Sequence, residues 1–386
     1  MTMNKFFSKF RYTLLVAVVF SLFVIGGCGD DDEPNGPTEY ETIMDLVESP
    51  EFQQAEGADV TVALDSLAKL LNQYPDLEAL LTGATEYTLF APSNQAFINL
   101  LATPGFPSDI RDISPDLIEG VLAYHIVAGA NLSDVVCAWG ATGEETLYTH
   151  PGACGAAGTV QVIKANGDCT LLTGSTNDEI DILEADRENG NGVVHIVESV
   201  MIPPAIGASL TPILGKLSAT ILLGADFTYL AKAMTIADCG TAGTDIAAIL
   251  SGAGPYTTFL PPNPVFEGTA AVFPGGPYTV DQFIALFTAA QWREIILNMI
   301  VSGASNENAD LIDALEMTTM QNANAKLTID VVTPGAPPAG SPVGKMVNTS
   351  GGATGMGGTT NCPIYVVDIA ASNGVAHAVG KILFPN

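Results

Sequence analysis

An eleven-residue motif occurs in two similar versions in this chain of 386 residues. "YTLFAPSNQAF" spans 87–97, and "YTTFLPPNPVF" spans 256–266. Two more pairs follow in the same order: "GVLAYHIVAGA" with "EIILNMIVSGA", and "NGVVHIVESVMIPP" with "NGVAHAVGKILFP". Because three landmarks recur in one order, we interpret the chain as a tandem duplication with its boundary near residues 203–209. Each copy must therefore form its own fold.

Helical patterns come first in each copy, and strand patterns gather late. "TIMDLVESPEF" and "ALDSLAKLLNQY" carry apolar residues at helical spacing. "YTLFAP" predicts a short buried strand that ends at Pro92, after which Ser93 or Asn94 caps a helix with Phe97 on its apolar face. Alternating runs such as "KLTIDVV", and Asn-Gly turns, predict antiparallel strands. The order of patterns predicts an α+β fold.

The second copy departs from the first in two places. Pro261, Pro262 and Pro264 replace the capping segment, so we expect a weakened or shifted helix there. The Gly/Pro-rich segment 334–362 is longer than ordinary core connections require. It is either a recognition surface or a disordered segment without a binding role.

These landmarks resemble the first conserved block, the Tyr-His segment and the second conserved block of the fasciclin (FAS1) domain. All three match in residues 40–204, and the two outer blocks match in the divergent second copy, 208–386. The resemblance implies two tandem fasciclin-like domains, each a β-sandwich wedge flanked by α-helices. It also implies a broad association with cell adhesion, with no known catalytic centre in most members.

Tyr124 and His125 match the Tyr-His segment, which in animal members has been linked to integrin binding. They are therefore the candidate partner-binding residues. In the alternative, Tyr124 packs in the core and His125 ties a helix end to a neighbouring strand. The second copy has Asn298 and Met299 at these positions, so we expect no such recognition by the second domain.

Four other motif residues favour structural roles. His195 and His377 occupy equivalent places in the two copies, which suggests a shared structural role instead of one active site. Asn94 and Phe97 belong to the first conserved block and are expected to support the helix start and the core.

The N-terminus has the pattern of a lipoprotein signal. Residues 1–27 carry Lys5, Lys9 and Arg11 before an apolar run, and "IGGC" places small residues ahead of Cys28. We expect lipid attachment at Cys28, followed by an acidic tether at 28–39. The lipid would hold the protein at an outer membrane, exposed at the cell surface or, alternatively, facing the periplasm.

Charge and motif content narrow the functional classes. The formal net charge is −29, with 42 Asp+Glu against 13 Lys+Arg. The resulting negative electrostatic potential repels nucleic acid. The sequence has no nucleophile elbow, zinc-protease motif, phosphate-binding loop or dinucleotide fingerprint. We therefore expect no enzymatic activity, no cofactor and no metal site.

Five cysteines follow Cys28, namely Cys137, Cys154, Cys169, Cys239 and Cys362. An exported chain can oxidise them, and the odd number leaves at least one unpaired within the molecule. If the two copies fold separately, Cys239 and Cys362 form the only possible pair within the second copy. The pairing in the first copy stays open.

Together these observations predict a lipid-anchored surface or envelope protein that mediates cell adhesion or extracellular matrix interaction. Its partner would be a surface or matrix protein or a polysaccharide. A glycan-binding accessory lipoprotein is one alternative, and it would need an exposed aromatic platform for which Trp139 and Trp292 are the available tryptophans. A periplasmic structural protein is the other.

Overall fold

A computed structural model describes residues 40–385 except 54–60, 153, 155, 167, 174–177, 240–244, 333–341 and 351–357. The expected signal, the lipid site Cys28, the acidic tether and much of the segment 334–362 lie outside the described residues.

Helices precede most of the strands in each copy, as the patterns predicted. The first copy contains α1 (Ile43–Val47), α2 (Asp65–Leu71), α3 (Pro75–Leu81), α4 (Asn94–Leu101), α5 (Pro115–Tyr124) and α6 (Ser133–Cys137). α7 (Pro204–Leu210) follows the last strand of that copy. The second copy contains α8 (Leu217–Leu222), α9 (Thr228–Asp238), α10 (Ile246–Leu250), α11 (Asn263–Val272), α12 (Val280–Ile284) and α13 (Ala289–Leu297).

Each copy also contains one series of hydrogen-bonded strands. The first has β1 (Tyr87–Pro92), β2 (Ile126–Ala128), β3 (Glu144–His150), β4 (Thr159–Ala165), β5 (Leu171–Thr173), β6 (Asp178–Ile180), β7 (Ile182–Asn189) and β8 (Gly192–Val197). The second has β9 (Tyr256–Leu260), β10 (Ile300–Ser302), β11 (Glu316–Thr318), β12 (Lys326–Val331), β13 (Lys345–Ser350), β14 (Cys362–Ala371) and β15 (Gly374–Val379). The predicted α+β fold is confirmed.

The two conserved blocks lie side by side in each sheet. The strand orders are β6-β5-β4-β3-β2-β1-β8-β7 and β10-β9-β15-β14-β13-β12-β11. β1 pairs with β8, and β9 with β15, in parallel, whereas the other pairs are antiparallel. The alternating patterns predicted only antiparallel pairing, because they report which face a residue occupies and not which distant strand becomes its neighbour.

The prolines of the second copy remove a cap without shortening the helix. Ser93 is the N-cap of α4, and its side chain accepts a hydrogen bond from the Ala96 N–H. Pro262 is the N-cap of α11 and makes no such bond, yet α11 has 10 residues against 8 in α4. The expected weakening of this helix is therefore wrong for its length, because proline is tolerated in the first turn, where the N–H groups have no intrahelical partner.

The two copies meet along a seam. Ile213, Ala219 and Leu223 form a small apolar cluster against Phe106 and Leu117 of the first copy. The Ser114 N–H donates to the Leu223 carbonyl at 2.7 Å, and the Gly215 N–H donates to the Gly105 carbonyl at 3.0 Å. Apolar packing and backbone hydrogen bonds therefore both join the copies.

Glycine is required at one point of the seam. Gly105 has a φ of 81°, and a Cβ added there would lie 2.6 Å from the Gly215 nitrogen. A side chain would therefore be strained by the backbone conformation and would also push the two copies apart at this point.

One of the two disulfides crosses the seam. Cys137 pairs with Cys169 inside the first copy, and Cys154 pairs with Cys239 of the second copy. The predicted pair of Cys239 with Cys362 is wrong, since Cys362 is a buried free thiol at the start of β14. That prediction assumed that the copies fold separately, whereas the seam brings the end of α9 to the loop between β3 and β4.

Candidate partner-binding site

Tyr124 is the last residue of α5 and is completely buried, with 0% of its surface exposed. Its hydroxyl donates a hydrogen bond to the Val162 carbonyl on β4 at 2.8 Å. Burial raises the pKa of the phenol. Tyr124 thus joins the helix to the sheet instead of facing a partner.

His125 follows directly and is also 0% exposed. Its Nε2 accepts a hydrogen bond from the Met201 N–H at 2.9 Å. Its Nδ1 must then carry the proton, which it donates to the Val121 carbonyl at 2.7 Å. Burial lowers the pKa of His125 to about 4, so the ring is neutral at pH 7. Burial argues against Tyr124 and His125 as a direct partner-binding pair, and the packing alternative fits their contacts.

The second copy makes the same connection with different chemistry. Asn298 is the C-cap of α13, and its side-chain amide donates to the Leu383 carbonyl at 3.0 Å. Leu383 occupies the place of Met201 in the second conserved block. Asn298 stands at the position of Tyr124 and Met299 at that of His125, so in the second copy this connection starts one residue earlier, with a side-chain donor and a backbone carbonyl in place of a side-chain acceptor and a backbone N–H.

His195 and His377 lie in equivalent hydrogen-bonded positions. Nδ1 of His195 accepts from the Asp186 N–H at 3.2 Å, and its Nε2 donates to the Asn131 carbonyl at 2.9 Å. The corresponding partners of His377 are Asp368 and Asn306, at 3.3 Å and 2.9 Å. Burial lowers both pKa values, and every ring nitrogen has a partner. These contacts support the structural role that the repeated motif suggested.

Asn94 and Phe97 also support the fold. The Asn94 side chain accepts from the Ser66 N–H at 2.9 Å and donates to Asp65 at 2.8 Å, which joins α4 to the start of α2. Asn263 repeats the first of these contacts with the Tyr229 N–H. Phe97 is buried in the first core.

Asn191 and Asn373 are structural residues that the sequence patterns did not single out. The Asn191 amide donates to the carbonyls of Leu81 and Gly83, and its oxygen accepts from the Ile43 N–H. Asn373 makes the same three contacts with Leu250, Gly252 and Leu217. Each Asn precedes the glycine of a repeated Asn-Gly pair, so its side chain could have been recognised as part of the repeat.

An apolar pocket of about 30 Å³ opens beside α5 in the first copy. Its lining includes Ile110, Leu117, Ile118 and Val121, all partly exposed. His125 also borders it, but both nitrogens of that ring are already hydrogen-bonded. The pocket therefore offers aliphatic contacts next to the Tyr-His segment.

Two carboxylates of α5 lie on the face opposite to the pocket lining, with Asp76 of α3 close to them. Burial raises the pKa of Glu119, and the nearby carboxylates of Asp116 and Asp76 raise it further. Burial together with Glu119 and Asp116 also raises the pKa of Tyr74 to about 12. This acidic surface, defined by Asp76, Asp116 and Glu119, favours a cationic neighbour.

Other classes of site lack support in the described ranges. No group of three His, Cys, Asp or Glu side chains there could hold a metal ion. Trp292 is fully buried, and Trp139 is partly buried and packs against Phe90, so neither provides the aromatic platform that the glycan alternative needs. Among the same residues, no helix is long and apolar enough to cross a membrane.

Comparisons with known proteins gave sequence relatives, a structural neighbour and a family model. Immunogenic protein MPB70 of Mycobacterium bovis is 26% identical over 184 residues, which is 46% of this chain and 81% of the relative. Protein sll1483 of Synechocystis is 27% identical over 129 residues, covering 33% of this chain and 62% of the relative. A solved FAS1 domain pair from the insect cell adhesion molecule Fasciclin I is 16% identical, with a TM-score of 0.32 and coverage of 83% of this chain and 96% of that chain. The fasciclin domain family model matches residues 62–203 and again 227–385, and the chain therefore belongs to the fasciclin-domain family.

Proposed function

We propose that this chain is a non-enzymatic lipoprotein, held by a lipid on Cys28 at the bacterial outer membrane and displayed outward, that mediates adhesion or matrix interaction. The observation that carries the proposal is the pair of fasciclin domains behind a lipoprotein-type N-terminus. Fasciclin domains are associated with cell adhesion, and none of the sequence motifs predicts a catalytic centre.

The arrangement of the two domains supports a binding role. The seam and the Cys154–Cys239 disulfide hold them together, so a partner that touches both domains loses little flexibility on binding. Many copies on one surface would add their separate weak contacts through multivalency. The net negative charge of the chain would favour partners with basic surfaces.

Protease treatment of intact cells tests the display. Cells producing the unmodified chain should lose both domains to added protease, as detected by antibodies against each domain. The Cys28→Ala variant should remain inside the envelope or be released to the medium. If both domains survive on intact cells and are digested only after lysis, the protein faces the periplasm and the proposal is wrong.

Adhesion is tested with the same strains. Cells with the displayed chain should adhere to immobilised matrix proteins or polysaccharides more than cells with Cys28→Ala at matched protein amounts. Equal adhesion by both strains, with display established, would remove the adhesive role while leaving the location intact.

A further inference from the structure

The segment that contains α6 is held at both of its ends. At its start, the Ser133 N–H and hydroxyl donate hydrogen bonds to the two carboxylate oxygens of Asp186, at 2.6 Å and 2.5 Å. At its end, Cys137 forms a disulfide with Cys169. We call residues 131–139 the α6 strap. Its disulfide breaks only by a redox reaction, whereas its carboxylate contact depends on nearby charges, so the two ends respond to different conditions.

The inner side of the α6 strap is apolar. Val136 is completely buried, and Trp139 packs edge-on against Phe90 with ring centroids 5.8 Å apart. Phe90 in turn stacks on His195, with centroids 5.3 Å apart. Release of the start of the strap would therefore uncover Val136 and change the surroundings of Trp139.

His195 is connected to the strap through the same aspartate. Its Nδ1 accepts a hydrogen bond from the Asp186 N–H at 3.2 Å and lies 3.9 Å from the Asp186 Oδ1. Its Nε2 donates to the Asn131 carbonyl at 2.9 Å. The ring must be neutral for these contacts, because a protonated Nδ1 cannot accept a hydrogen bond. Asp186 thus gives its N–H to the ring and its carboxylate to the strap.

Protonation of Nδ1 would change which group the Asp186 carboxylate prefers. A cationic His195 repels the Asp186 N–H, while its new N–H attracts the carboxylate that holds Ser133. Movement of the carboxylate toward Nδ1 leaves the Ser133 N–H and hydroxyl without their acceptor. Burial lowers the pKa of His195, so the held state loses stability relative to an open state as the pH falls below ~6.5, the pKa of an exposed imidazole.

Asp186 is the charged group that acts on this ring. Its neighbours on β7, Glu184 and Arg187, are paired with each other at 3.8 Å. β1 presents the uncharged ring of Phe90, and the strap presents the carbonyl of Asn131. The rest of β8 is glycine and aliphatic residues. The charge of the ring is therefore communicated to the strap through one carboxylate.

The second domain has the same ring contacts but a different anchor. Asp368 accepts from the Asn308 N–H at 2.7 Å, and its own N–H donates to His377. Nζ of Lys345 also donates to the Asn308 carbonyl. Burial lowers the pKa of His377, and the charge of Lys345 acts in the same direction. Because a cation holds the equivalent segment as well, we expect the acid response in the first domain.

We propose that the α6 strap is an acid-released cover. Protonation of His195 draws the Asp186 carboxylate away from Ser133, and the start of the strap opens. The disulfide at Cys137 keeps the other end attached, so the movement is local and reversible. The opening exposes the apolar inner side of the strap, which is covered at neutral pH. The switch requires no partner and does not depend on the proposed adhesive role.

Fluorine NMR of the two tryptophans tests the movement. The mature two-domain chain with Cys28→Ser is labelled with 5-fluorotryptophan, and Trp139→Phe assigns the two signals. Between pH 7.5 and 5 we expect the Trp139 signal to shift reversibly and to gain a solvent isotope effect, because the ring becomes hydrated. Trp292 is fully buried in the second core and should stay unchanged as the internal control. A fixed Trp139 signal, or equal movement of both signals, would overturn the proposal.

Three substitutions localise the switch. Asp186→Asn keeps an acceptor for Ser133 and tolerates the φ of 59°, but it offers no charge to the imidazolium. The midpoint of the Trp139 shift should therefore fall by about one pH unit or more. Ser133→Ala removes one donor to the carboxylate and should raise the midpoint. Asp368→Asn, the matching change in the second domain, should leave it unaltered, and an equal effect of both Asp→Asn variants would contradict a switch at His195.

Acid also acts on the first domain through His125, whose Nε2 accepts from the Met201 N–H. Asp186 is not among the groups that act on that ring. Asp186→Asn therefore separates the two histidines. An unchanged midpoint in this variant would assign the Trp139 movement to His125 and would refute the role of the strap. Should Asp186→Asn fail to fold, an unchanged midpoint in Ser133→Ala has the same meaning.

Discussion

The backbone N–H of Met201 donates a hydrogen bond to Nε2 of His125 at 2.9 Å, and this contact ties the end of α5 to the segment after β8. The bond requires an unprotonated Nε2, so the native state holds the ring neutral. The same segment borders the pocket through Val200 and Ile202. Protonation of His125 would therefore disturb the core and the pocket together.

The pH dependence of stability follows from this bond. Burial lowers the pKa of His125 to about 4, so the unfolded chain, with a pKa near ~6.5, takes up the proton more readily. Its contribution is complete above pH ~6.5 and is lost as the pH falls toward 4, which amounts to about 2 kcal/mol between pH 7.5 and 5. Urea unfolding across that range should show a steeper loss for the unmodified chain than for His125→Gln. Identical slopes would contradict the neutral, buried assignment.

The seam disulfide should link the stabilities of the two domains. The double variant Cys154→Ser/Cys239→Ser should lose about 2–4 kcal/mol and should unfold in two separable steps. Peptide mapping under non-reducing conditions should first recover Cys154 joined to Cys239. The variant Cys137→Ser/Cys169→Ser is the control, since it should destabilise only the first domain. Recovery of Cys239 joined to Cys362 would show that the seam pairing is wrong.

Asn191 should be among the most sensitive polar positions. Asn191→Ala leaves the Ile43 N–H and the carbonyls of Leu81 and Gly83 without their partner in a buried place, at a cost of about 3 kcal/mol or more. Asn189→Ala, in the same turn, is the matched control, because its amide nitrogen has no partner and its oxygen accepts only from the Asn191 N–H, and it should cost about 1 kcal/mol. Denaturant midpoints measure both. Similar losses at the two sites would refute the proposed role.

Tyr124→Phe isolates the buried hydroxyl. The substitution removes the hydrogen bond to Val162 and should lower the free energy of unfolding by about 1–2 kcal/mol. Because Tyr124 is fully buried, adhesion by cells that display the folded variant should be unchanged. A selective loss of adhesion, with the stability and the amount of displayed protein unaltered, would restore Tyr124 as a contact residue.

Sequence periodicity predicted the local parts of the fold well. The strand at 87–92, its end at Pro92, a helix cap at Ser93 or Asn94 and the order of helices before strands all follow from side-chain spacing and turn chemistry, and the structure assigns the cap to Ser93. The repeated histidines also indicated a structural role before their hydrogen bonds were known. These features depend on residues close together in the chain, which is why the pattern contains them.

Residue patterns along the chain are sufficient to predict a duplicated α+β fold with its repeated blocks in the core. They do not predict that β1 lies parallel to β8, that Cys239 meets Cys154 across the seam, or that Tyr124 and His125 face inward. These three features depend on which distant surfaces pack together. Apolar spacing reports that a residue is buried, but the partner that buries it is set by the shape of the whole molecule.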